Sequence, residues 1–441
     1  MSRIIVPSQS AARAAAIALL AAATFASAPP ALSAQATDTL RLAELQREAV
    51  ARDPRSAQAV LLREQTRLRL ENVRAERFPS LGLNAQAQHQ SDVTSVPFPG
   101  AVLPYKDTYD ANVGARVRLY DPVRAPRTEI ERAQLAEAEA RLEAALHAQR
   151  QAVNDAFFTA LLLEGQRNVI ADAINEIGTQ LRLARERVAA GASLPGEAAM
   201  LEAEQLRRQQ SLEEVESGRA VALALLADLT GRTVPPTAAL AAPELQGPVR
   251  AARAALDSLR RRPEYAQFTA TRETIVARES AVAAGERFRV SAFGRTGYGR
   301  PGLNQLAREF DSYWLAGVQF EWSPFDWGMV RREREALALQ RQVVSAEERA
   351  FVERIQRAVI GDLATIDRLE RTVVSDDAIV ALRERVLAET RLRYAEGVVT
   401  VAEFVDRETD LDTARLARAT HRVELAQARA RFLTTVGLEV R

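Results

Sequence analysis

Two hydrophobic periods share this chain, one of seven residues and one of two. Val352, Val359, Ile366, Val373, Val380, Leu387 and Tyr394 follow one another at seven-residue steps. Leu146, Val153, Ala160, Arg167, Ile174, Leu181 and Val188 repeat the stripe with one polar break. A stripe that holds to seven asks for a left-handed supercoil against neighbouring helices. Proline spacing gives the lengths, since none lies between Arg127 and Leu194 or between Phe325 and Arg441. Both stretches are rich in Ala, Glu, Arg and Leu, which favour helix. The pattern predicts helices over 126–190 and 329–396, each about 100 Å long at 1.5 Å per residue. Residues 191–196 and 397–400 interrupt them, and helical composition resumes at once. Gly191 and Gly397 suit a left-handed C-terminal cap and Pro195 suits a first helical turn. Each long helix therefore doubles back, giving helical hairpins over 122–230 and 327–436. Shorter helices are predicted over 42–77 and 256–287.

The period of two lies between the short and long helices. Leu81, Leu83, Ala85 and Ala87 alternate with Ser80, Gly82, Asn84, Gln86 and Gln88. Beyond a proline-rich loop, Tyr109, Ala111, Val113, Ala115, Val117 and Leu119 alternate with Asp110, Asn112, Gly114, Arg116 and Arg118. Later, Trp314, Ala316, Val318, Phe320 and Trp322 alternate with Tyr313, Leu315, Gly317, Gln319 and Glu321. Residues 288–299 alternate poorly and are expected to be the partner strand only by position. These runs predict two β-hairpins, 78–120 and 288–322, each with one apolar and one polar face. Strands of about 9–11 residues suit an outer membrane when tilted. Tyr105, Tyr109, Tyr120, Trp314, Trp322 and Trp327 are placed near strand ends, where interface aromatics gather.

The two sets of elements are one unit written twice. Arg187-Val188-Ala189-Ala190-Gly191 returns as Arg393-Tyr394-Ala395-Glu396-Gly397, Glu197 as Glu403, and Thr230-Gly231 as Val436-Gly437, all at an offset of 206. Tyr120-Asp121 answers Phe325-Asp326 at an offset of 205, and Asp53-Pro54 answers Arg262-Pro263 at 209. The offset changes only in loop-like stretches, so two similar halves are expected, 37–233 and 249–441. Residues 234–248, with Pro235, Pro236, Pro243 and Pro248, are expected to link them.

Residues 1–36 differ from the rest. Arg3 and Arg13 flank an Ala- and Leu-rich run ending in Ala34-Gln35-Ala36, the layout of a secretory signal peptide. The mature chain is then expected to start near Gln35 or Thr37, outside the cytoplasm. No later segment has the roughly 18 consecutive apolar residues of a transmembrane helix, so a membrane crossing would have to be a β-barrel. Cysteine is absent, which excludes disulfides and a lipidated N-terminal cysteine. The formal charge of +1 falls to −1 without Arg3 and Arg13, so no basic field suggests nucleic acid.

Four strands cannot close a transmembrane barrel, and open edges cannot face lipid. Copies must share the barrel, and three would supply twelve strands. With the Trp322-Ser323-Pro324-Phe325-Asp326-Trp327-Gly328 turn and the Arg393-to-Gly397 tip, the chain resembles the TolC-like outer-membrane efflux proteins, exit ducts of tripartite pumps and type I secretion systems. The resemblance covers essentially all of the mature chain. It implies a mainly α fold with a transmembrane β-barrel: a homotrimer with a twelve-stranded barrel and a long periplasmic α-barrel. It also implies a gated end that meets a periplasmic adaptor and an inner-membrane pump, with no cofactor.

No constellation points to catalysis or a metal. His89, His147 and His421 are far apart in sequence, and no Gly-rich phosphate loop follows a strand. The residues of interest lie at the hairpin tips. Glu403 and Asp406 are one helical turn apart and share a face. In a trimer they would form stacked acidic rings, and the resemblance places a cation-attracting constriction at this motif. Glu197 holds the matching place in the first half. As acids in a first helical turn, these residues also complement the helix dipole. Tyr394 matches a family tyrosine that bonds between helices to hold the tip closed, although Val398-Val399 stand where its arginine partner is expected. Gly191 and Gly397 mark grooves where adaptor tips would dock, and Tyr109, Tyr120, Trp314 and Trp322 are the expected membrane-interface aromatics. The competing readings are a periplasmic adaptor, which would lack duplicated strand pairs, and a structural coiled coil, which would not need lipid-suited strands.

Overall fold

The computed structural model describes residues 39–93, 104–256, 261–304 and 308–440. The expected signal peptide lies outside these residues. In chain order the elements are β1 (Leu40–Arg41), α1 (Leu42–Arg52), α2 (Gln58–Ala75), β2 (Ser80–His89), β3 (Asp107–Tyr120), α3 (Arg124–Ala189) and α4 (Pro195–Thr230). After these come β4 (Leu240–Ala241), α5 (Gln246–Ala254), α6 (Pro263–Ala284), β5 (Arg289–Arg300), β6 (Asp311–Glu321), α7 (Met329–Ala395) and α8 (Val401–Thr435). None of the described helices is long and apolar enough to cross a membrane.

The long helices α3 and α7 hold 66 and 67 residues, about 100 Å each. Each starts beneath a repeat-related aspartate. Asp121 accepts from the Val123 N–H at 3.1 Å, and Asp326 accepts from the Gly328 and Val330 N–H groups at 2.9 and 2.7 Å. Those two N–H bonds hold the Asp326 carboxyl below the usual range. At the far ends Gly191 and Gly397 take φ of +71° and +74°, and the Ala192 and Val398 N–H groups reach back to the Arg187 and Arg393 carbonyls. This is the glycine-terminated helix end anticipated from the sequence. The stripe on α7 faces inward: Ile366, Val380, Leu387 and Tyr394 are buried, and Val352, Val359 and Val373 half-buried. Arg167, the polar break on α3, is exposed and pairs with Glu216 at 2.9 Å.

Because α4 and α8 are about half as long as α3 and α7, they cover only the tip-ward part. The remainder of α3 packs against α2 and α6. Two large cores result. The middle one gathers Leu45, Phe157, Phe158, Leu226, Ile366 and Phe432, threaded by one polar chain. The Gln46 amide donates to Asn154 Oδ1 at 2.5 Å, Asn154 donates to Thr434 Oγ1 at 3.1 Å, and His147 Nε2 meets the Thr434 carbonyl at 3.1 Å. Burial, then the Arg262 charge, keeps the His147 imidazole low and neutral. The second core lies at the tips and joins the halves through Ile177, Leu181, Leu201, Leu387, Tyr394 and Phe404.

Three departures from the sequence pattern have local causes. The helix expected over 42–77 breaks at Asp53, whose carboxylate accepts from the Arg55 N–H and guanidinium. Pro54 then removes a donor and opens a short 3₁₀ turn, Pro54–Ala57. The helix expected over 256–287 begins only at Pro263, and residues 257–260 lie outside those described. Residues 234–248 are more than a link, since β4 pairs in parallel with β1 (Leu40 with Leu240, Arg41 with Ala241) and α5 starts at Gln246.

The four longer strands form one antiparallel sheet in the order β2-β3-β5-β6, so the halves meet at β3 and β5. The poorly alternating segment is therefore β5, an inner strand. Its glycines explain the weak pattern. A Cβ at Gly297 would sit 2.8 Å from the Tyr313 ring, and one at Gly317 of β6 would sit 2.8 Å from the Phe293 ring. Large rings occupy the space over small positions on the neighbouring strand, which alternation within one strand cannot reveal.

Candidate functional site

The register sorts the sheet into two faces. One carries Leu81 opposite Ala115, Leu83 opposite Val113, and Ala85 opposite Ala111. It continues with Val113 opposite Thr296 and Trp314, and with Val117 opposite Ala292 and Val318. Leu81, Leu83, Trp314 and Val318 are exposed at 78%, 80%, 75% and 68%, a contiguous apolar surface that water would oppose. The other face carries Asn84, Asn112, Asp110, Arg116, Arg295 and Tyr313. The Tyr313 hydroxyl and the Asn112 amide both donate to Asp110, and Arg295 stands 5.8 Å from the Tyr313 ring centre. One sheet thus has a surface fit for hydrocarbon and a surface fit for water.

Aromatic clusters mark both ends of the apolar face. At the helix-proximal end Tyr120, Phe288 and Phe320 stack, with ring centres 4.9 and 5.3 Å apart, and the Trp322 indole donates to the Glu286 carbonyl at 3.2 Å. At the far end Phe310 packs on Tyr109 and Tyr298 at 6.1 and 5.7 Å. Tyr109 and Tyr120 lie about 36 Å apart along β3 at 3.3 Å per residue, or about 28 Å of depth for a strand tilted by about 40°. Of the four expected membrane-interface aromatics, Tyr109, Tyr120 and Trp322 lie in or beside these clusters. Trp314 does not; it faces Thr296 well inside the apolar face, because β6 begins several rows below the outer end of β3. Phe288, Tyr298, Phe310 and Phe320 complete the clusters and were missed, since only the cross-strand register brings them together.

At the tips Glu403 and Asp406 are both exposed on the first turns of α8, and the Glu403 N–H donates to Thr400 Oγ1 at 3.2 Å. Glu197 is half-buried and accepts from Ser193 Oγ at 2.5 Å. Tyr394 stacks on Phe404 (5.2 Å, 17°) beneath the Arg187 guanidinium at 5.7 Å. Burial, then the nearby Glu197 charge, raises its phenol above the usual range. The Tyr394 hydroxyl is buried and has no hydrogen-bond partner among the described residues. So the structure brings Tyr394 and Glu197 to one tip core and leaves Glu403 and Asp406 outside it. Gly191 and Gly397 are exposed, with open space where a Cβ would be.

A charged cluster that the sequence did not disclose lies further along the same bundle. Glu408 is 2% exposed, and neither of its carboxylate oxygens has a hydrogen-bond partner. Arg208 Nη2 is 3.7 Å from Glu408 and 2.9 Å from Asp412 but makes a hydrogen bond to neither. Arg208 instead donates through Nε to Glu204 at 3.0 Å and through Nη1 to the Ala173 carbonyl at 3.0 Å. Desolvation dominates, so the Glu408 carboxyl is pushed up to about 7, and Asp412 is raised for the same reason. A cavity of about 280 Å³ lies alongside, lined by Asp172, Glu176, Glu384, Arg391 and Arg415. Among the described residues no group of three or more His, Cys, Asp or Glu could hold a metal ion.

Comparisons with known proteins follow the architecture. The outer membrane efflux protein family matches residues 45–232. Among solved structures, the outer membrane protein VceC of Vibrio cholerae superposes with a TM-score of 0.67 at 16% identity, covering 91% of this chain and 97% of that one. The open state of the MtrE outer membrane channel of Neisseria gonorrhoeae gives 0.65 at 19% identity, covering 91% and 90%. The CmeC outer membrane channel of Campylobacter jejuni gives 0.65 at 14%, covering 90% and 85%. At these identities the likeness shows the fold. Curated protein sequences give no match.

Proposed function

We propose that this chain, a member of the outer membrane efflux protein family, is the passive exit duct of an efflux pump, three copies sharing one barrel through the outer membrane. The two-faced sheet with aromatic clusters about 28 Å apart in depth carries this reading. Its edge strands β2 and β6 each have one neighbour in the chain, and unpaired edges are not tolerated in lipid. Three sheets joined edge to edge give twelve strands and a lumen lined by the Asp110, Arg116 and Arg295 face. The helices add a periplasmic tube about 100 Å long. Val221 and Leu225 on α4, and Ile360 and Val374 on α7, are exposed in one protomer and suit contact with neighbours.

In this reading the tips form the closed end. Glu403 and Asp406 become acidic rings, the Tyr394 hydroxyl finds its partner across a helix boundary, and the grooves beside Gly191 and Gly397 receive a periplasmic adaptor linked to an inner-membrane pump. The family is one of channels, and selection of cargo is left to the pump. Mass measurement in mild detergent together with planar-bilayer recording tests the duct. A trimer that conducts ions is expected; a monomer that conducts nothing overturns it.

A further inference from the structure

Arg300 and Arg308 bring two positive charges to one tyrosine ring at the outer end of the sheet. The Arg300 guanidinium carbon lies 4.4 Å from the Tyr105 ring centre, 5.4 Å from Tyr109 and 5.2 Å from Phe310. That of Arg308 lies 4.8 Å from the same Tyr105 ring. The two cations can be no further apart than those two distances laid end to end. Neither has a carboxylate partner among the described residues, and Arg300 Nε is buried without a hydrogen-bond partner. The acids nearby on the strands are engaged elsewhere. Asp107 is 2.7 Å from His89, Asp110 accepts from Tyr313 on the polar face, and Asp311 accepts from the Ser312 N–H at 2.7 Å. Glu309, next to Arg308 in sequence, is exposed.

This arrangement is costly as it stands. In the register Arg300 faces Tyr109, so it belongs to the apolar face, where a charge needs a partner. Ring faces attract each guanidinium, but two like charges at this separation repel, and more strongly beside hydrocarbon than in water. One anion between them removes both problems. Phosphate fits, because guanidinium groups bind it through paired, charge-assisted hydrogen bonds. The position selects its source. The outer aromatic cluster marks the depth of lipid headgroups, and the exposed side chains of Trp314 and Leu83 lie on the same face below it.

The geometry points to a lipid site: Arg300 and Arg308, braced on Tyr105, Tyr109 and Phe310, bind the phosphate of a phosphorylated lipid headgroup while its acyl chains cover the apolar face. The site rests on the membrane reading of the sheet but not on any transport activity. Native mass spectrometry of the full chain in mild detergent provides the test, with a bis-phosphorylated diglucosamine lipid, its dephosphorylated counterpart and inorganic phosphate as probes. The phosphorylated lipid is expected to be retained, and Arg308→Gln, at an exposed loop position, to weaken it by about tenfold, the loss of one charge-assisted hydrogen bond. Arg300→Gln should weaken it at least as much. Equal retention of the dephosphorylated lipid, or unchanged retention by both variants, overturns the proposal. So does inorganic phosphate that occupies the site as well as the lipid does, which would make it a site for soluble anions. Ion conductance by the same variants keeps the two readings apart. Lost lipid with intact conductance supports the site and leaves the duct standing, whereas a silent wild type that still retains the phosphorylated lipid would overturn the duct alone.

Discussion

The two hairpin tips share a backbone and differ in what their side chains do. Both end in a glycine with φ above +70° and both reach back to a repeat-related arginine carbonyl. At the offset of 206, however, Val188 faces its duplicate Tyr394, Ala198 faces Phe404, Leu194 faces Thr400, Met200 faces Asp406 and the exposed Glu202 faces the buried Glu408. The first tip is a small-residue hairpin. The second has a stacked aromatic pair inside and two carboxylates outside. Duplication kept the geometry that turns the chain and left packing and charge free to diverge, so the second tip holds the tip core together and presents the charge.

The largest expected asymmetry is in packing. Phe404 is fully buried and stacked on Tyr394, so Phe404→Ala should cost about 3–5 kcal/mol. Ala198→Gly at the matching place should cost only about 1 kcal/mol. Amide hydrogen exchange of the α7–α8 and α3–α4 tips reads both. Similar loss of protection from the two substitutions would mean that the aromatic pair does not organise the bundle end.

Next in size is the pair of glutamates. Glu202 is exposed and 2.9 Å from Arg185, whereas Glu408 is buried beside an arginine already shared with Glu204 and Asp412. The fold favours the protonated Glu408 carboxyl. Its stabilising contribution is therefore complete below the unfolded value near 4.5 and is lost as pH rises through about 7. That loss is worth about 3 kcal/mol. Glu408→Gln should flatten the pH dependence of thermal stability across this window, and Glu202→Gln should leave it in place. A wild-type profile that is already flat between pH 4.5 and 7 would contradict the buried-acid account.

What the sequence disclosed follows from how local each signal is. The seven-residue stripe, the proline gaps and Gly191 and Gly397 are local, and they locate the long helices and their ends within a few residues. Asp53-Pro54 is equally visible, but as one of the duplicated pairs it marks the repeat, and the helix break that its proline imposes shows only in the fold. The inner strand β5 was obscured because Gly297 makes room for a ring on β6, a cross-strand reason. Glu408 gave no sign at all. In a helix of alternating charges it reads as one more solvated acid, and only the closure of α3, α4 and α7 around α8 buries it. The aromatic clusters were half legible, since Tyr109 and Tyr120 stand at one strand's ends while Phe288, Phe310 and Phe320 join them only through pairing.

The smallest effect separates the acids at the two tips. Glu403 and Asp406 are exposed, so removing them should barely change stability, and their effect belongs to the ions that pass. Each carboxylate near a cation in a mostly aqueous mouth contributes about 1 kcal/mol before screening. In the proposed trimer the Glu403→Ala, Asp406→Ala double variant should therefore lower cation preference roughly fivefold and weaken block by divalent cations. Glu197→Ala should do less, because the Glu197 carboxylate is half-buried and turned onto Ser193. Reversal potentials in asymmetric salt measure the difference. The effect should shrink at about 1 M salt, where the screening length falls to about 3 Å. If Glu197→Ala matched the double variant, the acidic mouth would belong equally to both tips, and the contrast between them would reduce to packing.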